Sequence, residues 1–364
     1  MISLEQRGRA GLQFLGSLQQ WSSSELRDRA EVDFAAQPEA PELTTEFASD
    51  ARPHVWQQRL GRAREVAERS QAYRYNRFFQ RWVAEQNFIR AIPAVERKRG
   101  DWERLAAAKA PTDRSRLILN ADLKMPGWYE GVEWHLEPGG WDGYDLAMPM
   151  FAAGVGPYVF SLGGYAAVDV ECDIKVQRHN VLSLFRNKSL QRIYEPGCGG
   201  ANTLGVARQL YPNAELVGGD LSPALLRNGH FLSEMMGWNI LFRQEDACEV
   251  AEGDRSVDGV ISYALHHEMP PAISARVVAE MFRILRRGGE MIINDPPPFR
   301  AVPPLQAVIL DWDTDNRSDS TNRLRTVTWA TSFDHSFRAD EKAMMQARWQ
   351  DRPSRCRAKK GPNA

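Results

Sequence analysis

Tyr194-Glu-Pro-Gly-Cys-Gly-Gly-Ala-Asn202 decides how the rest of this chain is read. It begins in a β-rich run, Arg192 to Glu195, and leads into a helical period over 202–210. Glycines at 197, 199 and 200 let the backbone turn tightly and bring its N–H groups close to a ligand without side-chain collision. The turn is not a dinucleotide fingerprint, because the register set by Gly197 and Gly199 calls for a third glycine where Asn202 stands. Glu195, just ahead of the glycines, would set an uncompensated negative charge beside a pyrophosphate, so a zwitterionic or cationic ligand suits the turn better.

Downstream, β-rich runs at 215–220, 239–246, 257–265 and 290–295 alternate with helical periods at 202–210, 223–236 and 271–285. Strands interleaved with helices predict an α/β fold with a doubly wound, mostly parallel sheet. Ligands in such sheets sit beyond the carboxyl ends of the strands. Asp220 ends the second run, about 20 residues past the glycines, where a carboxylate accepts from two ribose hydroxyls. Capping the next helix is the plainer role, although Ser222-Pro223 supplies a start of its own. Asp246 ends the third run beside Ala247, where a carboxylate can accept from an exocyclic amine such as adenine N6; a surface turn is the rival reading.

Together these pieces resemble the class I S-adenosylmethionine-dependent methyltransferases, in the type that acts on small molecules. Ser256 to His267 resembles that family's fourth-strand segment, and Glu280 to Asp295 resembles its helix, Gly-Gly turn and fifth strand. The resemblance implies a Rossmann-like methyltransferase fold and S-adenosylmethionine as cofactor. It places Glu195 near the methionine amino group, Gly197, Cys198 and Gly199 under the cofactor, Asp220 and Leu221 at the ribose, and Asp246 and Ala247 at the adenine. A ring of carboxylates suits a cofactor that is positively charged at sulfur. The sequence departs from the family at Ala201, where a third glycine is usual, and at Gly218-Gly219, where a β-branched residue often precedes the acid.

Methyl transfer is an in-line displacement, so the protein contributes mainly positioning and desolvation, together up to ~7–11 kcal/mol. A hydroxyl or acidic-carbon acceptor would also gain from a base, and His266, His267 and Glu268 follow the fourth run. Adjacent side chains at a strand end point in opposite directions, so one histidine at most faces the cofactor, and His266 is the choice. Asp295 is placed at the acceptor pocket by its position after the fifth run. Asn294-Asp-Pro-Pro-Pro-Phe299 looks like the string of amino-group methyltransferases. Pro298 stands at its aromatic position, however, and it follows the fifth strand instead of the fourth, so the match is read as accidental.

Four regions are expected: a helical N-terminal region (1–110), an aromatic and Gly-rich connector or lid (111–184), the cofactor-binding core (185–312) and an irregular polar tail (313–364) with little order. Leu4, Leu12, Leu15 and Leu18 form an amphipathic stripe, Ser22 to Ser24 offer an N-cap, and 37–53 reads as a linker. The helical signal over 54–92 ends at Pro93. Leu305 to Trp312 reads as a further helix, and only Thr326 to Thr331 resembles a strand beyond it, which leaves the sheet edge open. Trp128 to Tyr144 alternates turn residues with large flat side chains; it suits either a pocket wall or a weld between the helical half and the sheet.

With 46 Lys and Arg against 47 Asp and Glu, the net charge of −1 gives no global basic field for nucleic acid or an anionic membrane. Locally, residues 52–109 carry 14 basic against 6 acidic residues, so an RNA or protein substrate docked there is an alternative to a small-molecule acceptor. A solvated helical face is the plainer reading, and an inactive cofactor-binding scaffold is a third. Four cysteines without CxxC or zinc spacing indicate neither disulfides nor a metal, and no run approaches a membrane span. A soluble cytoplasmic protein is expected; the oligomeric state is not readable.

Overall fold

The computed structural model describes residues 2–49, 52–108, 113–162, 174–297 and 299–316. Helix α1 (Gln6–Trp21) buries Leu12 and Leu15 on one face, with Leu4 ahead of it, as the stripe requires. The serines do not start a new helix. Ser22–Leu26 form a π-helical turn that runs straight into α2 (Arg27–Ala35). Ser22 is instead drawn into the core, where Asn76 Nδ2 donates to its carbonyl at 2.6 Å and to its hydroxyl at 3.0 Å.

The expected linker holds α3 (Ala40–Phe47), because Leu43 and Phe47 bury themselves and Phe47 packs edge-on against Trp56. The long helical signal divides into α4 (Pro53–Ala67) and α5 (Gln71–Glu96), and Ser70 caps α5 by accepting from the Tyr73 N–H at 3.2 Å. Pro93 does not end α5 but lies inside its last turn, where the hydrogen bond it forfeits is one of the last in the helix. Helix α6 (Arg99–Ala108) follows. Across this basic stretch, Arg62 pairs with Glu46, Arg64 with Asp311, Arg69 with Glu39, Arg81 with Glu85, Arg97 with Glu5, and Arg99 with Glu96 and Asp145. Much of the local positive charge is thus met by the protein's own acids.

The connector supplies strand β1 (Leu117–Ile118), the short helices α7 (Ala147–Met150) and α8 (Gly156–Tyr158), and α9 (Ile174–Leu182). Met150, Val155 and Val159 share one apolar cluster with Leu12, Val83, Phe88 and Ala91, which fastens this stretch to α1 and α5.

Then come β2 (Arg192–Pro196), α10 (Asn202–Leu210), β3 (Glu215–Asp220), α11 (Pro223–Met236), β4 (Ile240–Gln244), β5 (Val257–Tyr263), α12 (Pro271–Ile284), β6 (Leu285–Asn294) and α13 (Pro304–Asn316). The six strands form one parallel sheet in the order β1-β4-β3-β2-β5-β6. It is the doubly wound, Rossmann-like α/β fold with a helical N-terminal region. Side chains alternate between its faces. Ile193 and Leu216 meet Leu204 and Leu226 of α10 and α11, while Tyr194 and Val217 meet Val277 and Met281 of α12.

Two details differ from expectation. β6 starts five residues earlier than the run at 290, taking the Gly-Gly turn into the strand as a bulge, with Gly288 at φ 77°. β1 extends the sheet at the β4 edge. Beyond β6 no further strand occurs among the described residues; Pro298, Thr326 to Thr331 and the tail beyond 316 lie outside them. Helix α13 packs on α4, with Leu305, Val308 and Leu310 joining Trp56, Leu60 and Ala63. β2 is flanked by β3 on one side and β5 on the other, so the strand order reverses there and a crevice opens at its carboxyl end.

Candidate active site

The glycine turn after β2 sits at that crevice. Gly197 has φ 63°, and a Cβ there would lie 2.4 Å from Leu265 Cδ1. Ala201 also adopts a left-handed conformation, φ 62°, so the position holds the backbone of a glycine although the residue is not one. The Gly218-Gly219 departure has a steric cause. A Cβ on Gly219 would fall 2.2 Å from the Tyr194 hydroxyl, and one on Gly218 would fall 2.6 Å from Cys198 Sγ. The Tyr194 and Cys198 side chains, on β2 and its turn, fill the space that a β-branched residue would otherwise occupy.

The strand ends open onto a cavity of about 630 Å³. Every cofactor-site residue expected from sequence lines it: Glu195, Gly197, Cys198, Gly199, Asp220, Leu221, Asp246 and Ala247. Asp220 accepts the Gly199 N–H at 2.8 Å through Oδ2 and the Ser222 N–H at 2.8 Å through Oδ1. The carboxylate thus ties turn to strand and keeps a lone pair on each oxygen; burial pushes it up to about 6. Asp246 accepts the Cys248 N–H at 2.8 Å. Glu195 is 2 % exposed, and its Oε2 has no hydrogen-bond partner. Burial pushes this carboxyl up to about 8, with the Thr203 hydroxyl and Arg178 only partly opposing.

A second wall faces the sheet. Trp128, Tyr129, Trp134 and Trp141 line the cavity, and Trp134 is fully buried against the Trp128 and Tyr129 rings. Gly139 and Gly143 let this segment fold back on itself, since a Cβ on Gly143 would lie 2.4 Å from the Gly139 Cα. Two of its polar side chains, Asp142 and His135, hold the wall in place. Asp142 Oδ1 accepts from the Ser222 hydroxyl at 2.7 Å and the Ala224 N–H at 3.2 Å. His135 Nε2 meets Glu268 Oε1 at 3.1 Å. Glu137 belongs to this wall, lines the cavity and is 6 % exposed; burial alone pushes it up to about 7. Nothing in the local sequence singles it out, because the carboxyl joins the site only through the folding of the wall over the sheet.

The histidine assignment reverses. Residues 266–268 form a 3-10 turn, so strand alternation does not apply to them. His266 is the buried one: its Nδ1 lies 2.8 Å from the Ser274 hydroxyl, burial lowers its pKa, and it does not line the cavity. His267 lines it, but both ring nitrogens are engaged, Nδ1 with Asp295 Oδ1 at 2.5 Å and Nε2 with Glu268 Oε1 at 3.2 Å. Burial opposes the charge, yet Asp295 and Glu268 hold His267 well above the ordinary histidine value, and with both ring nitrogens facing carboxylates it has no free lone pair to serve as a base. Asp295 does not line the cavity either. It accepts the N–H groups of Leu265, His266 and His267 and works as a clamp between the ends of β5 and β6. Glu268 is held well below the usual carboxylate range against its burial, chiefly by His267 and His135.

Known proteins resemble part of this chain. A family model described as a methyltransferase domain matches residues 193–289. A demethylmenaquinone methyltransferase of Thermus thermophilus is 25 % identical over 122 residues, which cover 33 % of this chain and 54 % of that protein. The chain therefore spans about half the length of the curated relative it matches. Among solved structures, a Pyrococcus horikoshii protein is 20 % identical at a TM-score of 0.31, covering 35 % of this chain and 61 % of its own. Haemonchus contortus phosphoethanolamine N-methyltransferase 2, solved with phosphomonomethylethanolamine and S-adenosylhomocysteine, is 22 % identical at 0.30, covering 32 % and 27 %. Residues 193–289, which carry the glycine turn and the central strands of the parallel sheet, are thus similar to a methyltransferase domain.

Proposed function

We propose that the chain transfers a methyl group from S-adenosylmethionine to a small-molecule acceptor held beneath the aromatic wall. The observation that carries this is the convergence of Glu195, Asp220 and Asp246 on one cavity, with a buried Glu195 oxygen left without a partner. A buried, unpartnered carboxylate oxygen is costly, and an ammonium group placed against it would remove that cost. The residues fit the cofactor: Glu195 would hold the amino group, the turn at Gly197 and Gly199 would pass beneath it, Asp220 would take the ribose and Asp246 the adenine. When bound, the cofactor supplies a methyl carbon already activated for in-line attack.

The protein's part is to orient the acceptor and keep water out, and the tryptophan wall suits both. The arginines paired across 52–109 favour a small molecule over RNA, because phosphate binding draws on unneutralised cations. Incubation with methyl-labelled cofactor and fractionated cell extract tests this. Label is expected in the small-molecule fraction, and label confined to RNA or protein would contradict it.

A further inference from the structure

Glu137 is a buried carboxylate that the cofactor-binding residues do not use. Among the described residues its carboxylate meets neither a cation nor a hydrogen-bond donor, although it lines the cavity and is 6 % exposed. It follows two non-glycine residues in the left-handed region, His135 at φ 53° and Leu136 at φ 64°. Each such residue costs roughly 1–2 kcal/mol. Buried negative charge without a partner adds a further cost. The strain at His135 has a return in its contact with Glu268, whereas the Glu137 carboxylate has none among the described residues; a buried carboxylate that lines a cavity with nothing paired to it is the pattern of a site whose return comes from a ligand.

We propose that Glu137 is the acceptor-side residue, binding the hydroxyl or amine of a flat, otherwise apolar molecule and taking its proton during methyl transfer. This rests on the methyl-transfer reading above. The acceptor class follows from the walls: Trp128, Trp134, Trp141 and Phe151 offer apolar faces, and Glu137 offers a hydrogen-bond acceptor. In the reaction the acceptor heteroatom's lone pair forms the new bond to the methyl carbon. The carbon–sulfur bond breaks with its electron pair staying on sulfur, and the acceptor's O–H or N–H proton passes to the Glu137 carboxylate. His267, with both ring nitrogens engaged, is not available for that role. A carboxyl raised to about 7 by burial holds and releases a proton near neutrality.

The test uses the full chain loaded with S-adenosylhomocysteine, with 2-naphthol, 2-naphthylamine and naphthalene as probes in equilibrium dialysis. S-adenosylhomocysteine is titrated first. Wild type is expected to bind the naphthol and the amine about ten-fold more tightly than naphthalene, the difference a charged hydrogen-bond acceptor makes. Glu137→Leu is expected to lose that preference, and Glu137→Gln to keep part of it, while both keep the wild-type affinity for S-adenosylhomocysteine. Equal binding of all three probes by wild type, no binding of any of them, or a preference that survives in Glu137→Leu overturns the proposal. Failure of S-adenosylhomocysteine itself to bind overturns the methyl-transfer reading, and this inference with it.

Discussion

His135 Nε2 and Glu268 Oε1 lie 3.1 Å apart, and this contact joins the aromatic wall to the turn that follows β5. Glu268 also faces His267, so one carboxylate holds the wall and steadies the strand-end turn together. Glu268→Gln should loosen the wall first. A charge-assisted hydrogen bond of this kind is worth about 1.5–3 kcal/mol, so amides over 128–144 should exchange with solvent roughly ten-fold faster or more. Unchanged exchange there would show that the wall is held without this pair.

Asp295→Ala should act on folding. The carboxylate takes three backbone N–H groups and the His267 ring, and removing one partner of a buried pair costs about 3–5 kcal/mol. The pH dependence has a definite sign. His267 is raised in the folded state, so its stabilisation is complete below its ordinary value of 6.5 and is lost as pH climbs through the higher folded value. Denaturant melts of wild type and Asp295→Ala across that range should converge toward high pH.

Glu195 has the opposite character. Its folded value of about 8 lies above the ordinary 4.5, so the folded protein keeps a proton that the unfolded chain has lost. Stability without ligand should therefore fall as pH rises from about 4.5 to about 8. Glu195→Gln should flatten that decline while weakening cofactor binding ten-fold or more. At pH 7 an ammonium ligand should drive Glu195 to ionise and release up to about one proton, read by calorimetry in two buffers of different ionisation heat. A heat independent of buffer would contradict the assignment.

Gly219→Ala should be destabilising by about 1–3 kcal/mol, the usual range for overpacking, because the new methyl would meet the Tyr194 hydroxyl and Glu245. Thermal melts measure it, and the cofactor affinity should fall with them, since Asp220 is the next residue.

The parts legible in the sequence are those set by local chemistry. β2, α10 and β3 follow from the glycine turn and the alternation around it, and the strand-end acids follow from their place after each run. What was not legible depends on distant partners. β1 is two residues long and exists only beside β4, and α3 forms because Leu43 and Phe47 find Trp56 and its neighbours. His266 and His267 exchanged roles because a 3-10 turn replaced the assumed strand geometry. Glu137 and Asp142 became visible as site residues only once the wall was folded over the sheet.

The most direct test of the central claim is a calorimetric titration of S-adenosylhomocysteine into wild type and Asp220→Ala. One site per chain is expected in wild type. The variant, which loses the ribose acceptor and the anchor of the Gly199 N–H, should bind at least about ten-fold more weakly. No binding to folded wild type, or equal binding by the two proteins, would contradict the account.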